Sequence, residues 1–101
     1  MDIKEIIEKI VLVSDKYAKN CDINRDDDWY VLKLQEEFGE LIQNYLSFSG
    51  RGRNRGKSDV EIKEDFADEL ADVFGQILLV ANHNDIDVEK ALERKWFKYL
   101  D

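Results

Sequence analysis

The chain has 101 residues, no proline, five glycines, 44% apolar residues and a formal charge of −8, which describes one globular, helix-favouring domain and excludes a disordered chain. The charge argues against general binding to nucleic acid or anionic membrane, and a single cysteine, Cys21, excludes an internal disulfide framework and a zinc pattern. No apolar run approaches the roughly 18 residues of a membrane span and the start Met1-Asp2-Ile3 has no signal-peptide character, so a cytoplasmic protein is expected.

Ile3, Ile6, Ile7, Ile10, Val13 and Tyr17 recur at three- and four-residue intervals and predict a first helix over about 2–19. Cys21, just beyond it, has no activating neighbour and is expected to be a buried structural thiol. Asp27 or Asp28 is the expected N-cap of a second helix reaching about Ser47, with Val31, Leu34, Phe38, Leu41, Ile42 and Tyr45 inward. Ser58-Asp59-Val60-Glu61 fits a capping box, so a third helix starts there and runs to about Asn82. Its inward residues are Ile62, Phe66, Leu70, Val73, Phe74, Ile77 and Leu78. Asp87 is the cap of a last helix carrying Val88, Ala91, Leu92, Trp96 and Tyr99. No alternating apolar run of strand length survives beside these patterns, so one all-α domain over 1–101 is expected. A lone domain this small buries only about two thirds of its unfolded surface, which favours self-association.

Two acidic signatures stand inside the central helices, Glu36-Glu37-Phe38-Gly39-Glu40 and Glu69-Leu70-Ala71-Asp72. At about 100° per residue, Glu37 and Glu40 project roughly 60° apart, and Glu69 and Asp72 do the same. Each pair is a two-toothed ligand at the margin of an apolar stripe. Carboxylates forced together beside apolar surface need a cation to neutralise them, and oxygen-only ligands suit Mg²⁺ or Mn²⁺. The competing reading is a solvated acidic face. Gly39 and Gly75 lie within one turn of these motifs, and glycine inside a helix costs roughly 1 kcal/mol relative to alanine. Close approach of a backbone or substrate, or an ordinary helix contact, would account for them.

Between the acidic helices, residues 49–57 hold Arg51, Arg53, Arg55 and Lys57 and no acid, so this loop carries +4 against −12 for the remainder. Glycine-spaced arginines in a connection can fold over a phosphate chain with paired guanidinium hydrogen bonds. The alternatives are a solvated loop that balances the acidic body, or a small RNA-contacting patch poor in aromatic residues. Trp29 either stacks on a nucleobase or fills a core or dimer interface. His83, the only histidine, is expected at a helix end as a cap or surface residue, and a lone histidine argues against a di-iron bundle.

The run Lys33-Leu34-Gln35-Glu36-Glu37-Phe38-Gly39-Glu40-Leu41, then Asp68-Glu69-Leu70-Ala71-Asp72-Val73, then Asn82, Ile86-Asp87 and Lys95, resembles the MazG-like all-α nucleoside triphosphate pyrophosphohydrolases over roughly residues 29–97. The resemblance implies a four-helix bundle assembling as a homo-oligomer, dimer or tetramer. It also implies Mg²⁺-dependent hydrolysis of a nucleoside triphosphate between its α and β phosphates, giving the monophosphate and pyrophosphate. Carried over by position, Glu37, Glu40, Glu69 and Asp72 would hold the metal, Glu36 would position or deprotonate water, and Lys95 would contact phosphate. The asparagine and arginine often found after that lysine are replaced here by Lys98 and Tyr99, so the basic loop is expected to take over part of their role. Lys33, Arg51 and Arg53 are then the expected contacts of the leaving pyrophosphate, with Trp29 on the base. A different class is a non-catalytic helical dimer that binds nucleotide, metal or a protein partner as a regulatory module. A third is a partner-binding bundle anchored by Trp96, Phe97 and Tyr99.

Overall fold

A computed structural model describes all residues, 1–101, as helices joined by turns, with no strand. Helix α1 spans Ile3–Asn20, α2 Asp27–Phe48, α3 Asp59–His83 and α4 Val88–Lys95, and a single 3₁₀ turn follows at Phe97–Tyr99. No helix is long and apolar enough to cross a membrane.

Side-chain caps set each start. Asp2, Asp26, Ser58 and Asp87 each accept a hydrogen bond from the backbone N–H three residues on, satisfying one of the free donors of a first turn. Ser58 and Glu61 complete the expected capping box, and the Ser58 backbone N–H holds the Glu61 carboxyl below the usual range. The cap of α2 is Asp26 and not Asp27 or Asp28: Asp26 Oδ1 accepts from Trp29 N at 2.8 Å. Three successive aspartates can all serve, and using the first leaves Asp27 to meet His83.

Three helices end alike. Beyond α1, α2 and α3 the chain turns left-handed at Asp22, Gly50 and Asp85, with φ of 51°, 79° and 55°. The next N–H then reaches back to a carbonyl of the last turn, Ile23 to Ala18, Arg51 to Leu46 and Ile86 to Ala81, at 2.8–2.9 Å. Two of these left-handed positions carry aspartate, one of the few residues other than glycine that adopt them readily.

Helices α2 and α3 form an antiparallel hairpin. Near its open end the Gln76 Nε2 donates to the Tyr30 carbonyl at 3.0 Å and the His83 ring stacks on Tyr30 at 4.1 Å, while near the connecting loop Phe66 packs on Tyr45 and Phe48. Helix α1 lies mainly on α3. The buried residues are Ser14, Ala18, Tyr30, Val73, Gln76, Leu78, Leu79 and Ala81, with Leu78 the deepest. Small Ser14 and Ala18, one turn apart, let α1 approach, and Arg25 from the α1–α2 connection donates to Ser14 Oγ and Asp15 Oδ1, both at 2.8 Å.

A closed four-helix bundle does not form within the chain. Helix α4 packs substantially only on the 3₁₀ turn after it. The radius of gyration is 16.0 Å, against about 13 Å for a compact domain of this length. Val31, Phe38, Ile42 and Tyr45 on α2, and Leu70, Phe74 and Ile77 on α3, all expected inward, are each at least 42% exposed. The reason is geometric: two helices bury one stripe against each other, these stripes are wider than that, and α4 does not cover the remainder. Val13 and Tyr17 are exposed likewise, and so is Cys21, which is therefore not the buried thiol expected. The last helix also ends early, at Lys95, before the Trp96 and Tyr99 it was expected to carry.

Candidate metal centre and adjoining cleft

In an antiparallel hairpin that pairs Tyr30 with Gln76 and Tyr45 with Phe66, the middles of the two helices face each other. Glu37 and Glu40 of α2 and Glu69 of α3 sit there, each half-buried, and one carboxylate oxygen from each lies within 4.8 Å of the other two. Two of the oxygens in this cluster of carboxylates, Oε2 of Glu37 and Oε2 of Glu69, are buried without a hydrogen-bond partner. A buried carboxylate oxygen left unpaired costs free energy that a proton or a cation removes.

The electrostatics agree. Burial, then the charges of Asp72, Glu40 and Glu37, push the Glu69 carboxyl up to about 7. Burial and the charges of Glu40 and Asp72 likewise raise Glu37, an effect that Lys33 only partly offsets. Lys33 Nζ lies 3.5 Å from Glu37 Oε1 and 3.3 Å from Glu36 Oε1. Burial lowers the lysine's own pKa, but the hydrogen bonds and charges of the two glutamates outweigh it and raise the pKa. Three carboxylates, two of them with an orphaned oxygen, and one cation shared between two acids form an electron-rich, under-neutralised donor set. Such a set fits a hard divalent cation.

The other expected site residues are distributed unevenly. Asp72 lies beside the cluster, not within the 4.8 Å group, and is exposed, though its charge acts on both Glu37 and Glu69. The Glu36 side chain is 58% exposed and is engaged by Lys33. Trp29 and Lys33 line a cleft of about 600 Å³ between α1 and the hairpin, and Glu37 and Asp72 form part of its wall. Arg51 and Arg53 are not brought to the acids. Ser47 donates to the Arg53 carbonyl at 2.9 Å, and Ser47 stands roughly 10 Å along the α2 axis from Glu40. Arg51 lies over the Tyr45 ring and donates to Ser49 Oγ. Arg53 and Arg55 line a separate polar cleft of about 380 Å³, where Lys57 pairs with Asp65. Lys95, on the outlying α4, lines neither cleft.

The two helical glycines differ. A Cβ at Gly39 would meet nothing within 4 Å, and one at Gly75 would meet only Ile10 Cδ1 at 3.9 Å. No backbone within the chain closes on either, yet Gly75 borders the cleft. His83 ends α3 as expected and also ties the open end of the hairpin, because its Nε2 lies 2.7 Å from Asp27 Oδ1 while its ring stacks on Tyr30.

Sequence reasoning missed the α1 side of the cleft, Lys9 and Tyr17, and missed Gln76 on its floor. Gln76 had a signal: a polar residue within the apolar stripe of Val73, Ile77 and Leu78 is a buried polar group that must bond to something. Comparison of the chain with protein-family models, with curated proteins and with solved structures found no match in any of the three.

Proposed function

We propose that the protein is a Mg²⁺-dependent nucleoside triphosphate pyrophosphohydrolase, cleaving between the α and β phosphates to give a nucleoside monophosphate and pyrophosphate. The observation that carries this is the meeting of Glu37, Glu40 and Glu69 around two buried, unpaired carboxylate oxygens. Those three residues, with Asp72 at the edge, would hold the cation. When bound, the cation supplies charge neutralisation on the phosphates and a more acidic water. Mn²⁺ meets the same donor preferences.

The chain's own residues do the rest. Lys33 stands between the acids and the cleft, where it can leave its glutamate partners for a phosphate oxygen. Glu36, exposed and one residue from Glu37, is the acceptor for a proton from water once Lys33 moves. Trp29 offers an aromatic face at the cleft wall for the base. The exposed apolar faces of α2 and α3 fit assembly into a homo-oligomer, in which a second copy covers what α4 leaves open.

A second reading is a helical dimer that binds nucleotide or metal without turnover. One observation favours it: neither Lys95 nor the basic loop reaches the acids within one chain. Pyrophosphate release measured with and without Mg²⁺ across ribo- and deoxynucleoside triphosphates separates the two. Metal-dependent release lost in Glu40→Gln supports the enzyme, whereas nucleotide binding with no release by the purified parent protein sinks it.

A further inference from the structure

The acids account for only one end of the 600 Å³ cleft. Its volume falls in the range of small-molecule sites, roughly 300–1,000 Å³, and its walls away from Glu37 and Asp72 combine apolar and aromatic groups, Ile10, Val13, Tyr17, Trp29 and Phe74, with the cations Lys9 and Lys33. Two buried polar groups interrupt that surface, Ser14 and Gln76, and the Ser14 hydroxyl oxygen already accepts from Arg25 at 2.8 Å. Gln76 is 7% exposed, and its Nε2 is committed to the Tyr30 carbonyl at 3.0 Å. That bond fixes the amide, because turning it over would set two carbonyl oxygens against each other. Oε1 is left as an acceptor with no protein donor, on a residue that lines the cleft. Beside it Gly75 withholds a side chain from the same wall, where a Cβ would make only an ordinary contact with Ile10 Cδ1 at 3.9 Å, although glycine weakens a helix at that point.

We propose that the cleft between α1 and the α2–α3 hairpin seats the nucleoside half of the ligand, with Gln76 Oε1 accepting from an N–H on the base's pairing edge and Gly75 leaving room for the ring. It rests on the nucleotide reading of the acids and adds where selectivity arises. Flat aromatic walls retain any base by stacking, while an unpaired acceptor discriminates among bases by which of them presents a donor at that point. Selection would therefore come from this one amide, and the acids would be indifferent to the base.

The test is binding without turnover. Four α,β-methylene deoxynucleoside triphosphates and inorganic tripolyphosphate are titrated with Mg²⁺ into a Trp96→Phe protein, so that fluorescence reports Trp29 alone. The tightest nucleotide should bind at least tenfold better than tripolyphosphate. Gly75→Leu, whose side chain starts in ordinary contact with Ile10 and extends along the cleft wall, should bring nucleotides to within twofold of tripolyphosphate and leave tripolyphosphate unchanged. Gln76→Met should keep the preference for nucleotides but narrow the spread among bases to about twofold. Full nucleotide affinity in Gly75→Leu overturns the assignment, even if Gln76→Met proves too unstable to measure. A parent protein that binds tripolyphosphate as well as any nucleotide refutes the cleft while sparing the metal centre. A parent that binds neither refutes both.

Discussion

The middle of the α2–α3 hairpin and the loop that closes it are oppositely charged and differently built. In the middle, acids at i and i+3 on paired helices have no freedom to move apart, so packing of the helices presses Glu37, Glu40 and Glu69 together and strips water from two of their oxygens. In the loop, Arg51, Arg53, Arg55 and Lys57 are held by turn chemistry. Gly50 reverses the chain, Gly52 sits against the end of α2, and Asn54 to Lys57 form a turn with Arg55 and Gly56 both at positive φ. Those turns keep the basic groups near the loop, Arg51 on Tyr45 and Lys57 on Asp65, and bring none to Glu37, Glu40 or Glu69. Charge of opposite sign nearby in sequence does not make an ion pair when the intervening helix holds the groups about 10 Å apart, near the screening length of physiological salt.

The contrast can be broken most directly by neutralising each half. Glu40→Gln or Asp72→Asn should abolish Mg²⁺-dependent pyrophosphate release, by more than about a hundredfold, since even outer-shell partners of a metal are worth roughly 10–100-fold. Their helical circular dichroism should match the parent. Arg53→Ala and Arg55→Ala should change the same rate by less than about threefold, and a loss as large as that of Glu40→Gln would show the loop reaching the acids after all.

Acidity sharpens the comparison next. With its folded pKa near 7, Glu69 binds more protons in the folded than in the unfolded chain between about pH 4.5 and 7, so metal-free stability falls as pH rises through that window. The melting temperature should drop from pH 5 to pH 7.5, Mg²⁺ should restore more of it at pH 7.5 than at pH 5, and Glu69→Gln should flatten the profile. A metal-free melting temperature that climbs over this range would contradict the raised pKa.

Stability changes probe the loop itself. A Cβ at Gly52 would stand 2.9 Å from Ser47 N and 3.1 Å from the Leu46 carbonyl carbon, both backbone atoms that cannot turn aside. Gly52→Ala should therefore cost about 1–3 kcal/mol in denaturant titration. Removing the clasp at the other end, His83→Ala, should cost roughly 0.5–1.5 kcal/mol through lost stacking on Tyr30, with little from exposed Asp27. The smallest change should be a gain: Asp85→Gly, at a left-handed residue, should stabilise by up to about 1 kcal/mol.

Local chemistry was legible along the chain. Ser58 with Glu61, and Asp87, fixed helix starts because capping involves residues three apart and nothing distant. The acid pairs were legible because the helical period alone aligns Glu37 with Glu40 and Glu69 with Asp72. The cap of α2 was expected at Asp27 or Asp28 and fell on Asp26, since neighbouring aspartates are chemically equivalent as caps and sequence does not show that Asp27 meets His83.

Tertiary structure alone decided which carboxylates meet, which oxygens lose water, and that Asp72 stands at the edge while Lys95 stays with an outlying helix. It decided also that Gln76 belongs to a cleft and that Val13, Phe74 and Cys21 face outward. The physical reason is one of range: periodicity and capping act within a few residues of one helix, whereas burial, desolvation and the shape of a cleft depend on how separate helices are laid against each other.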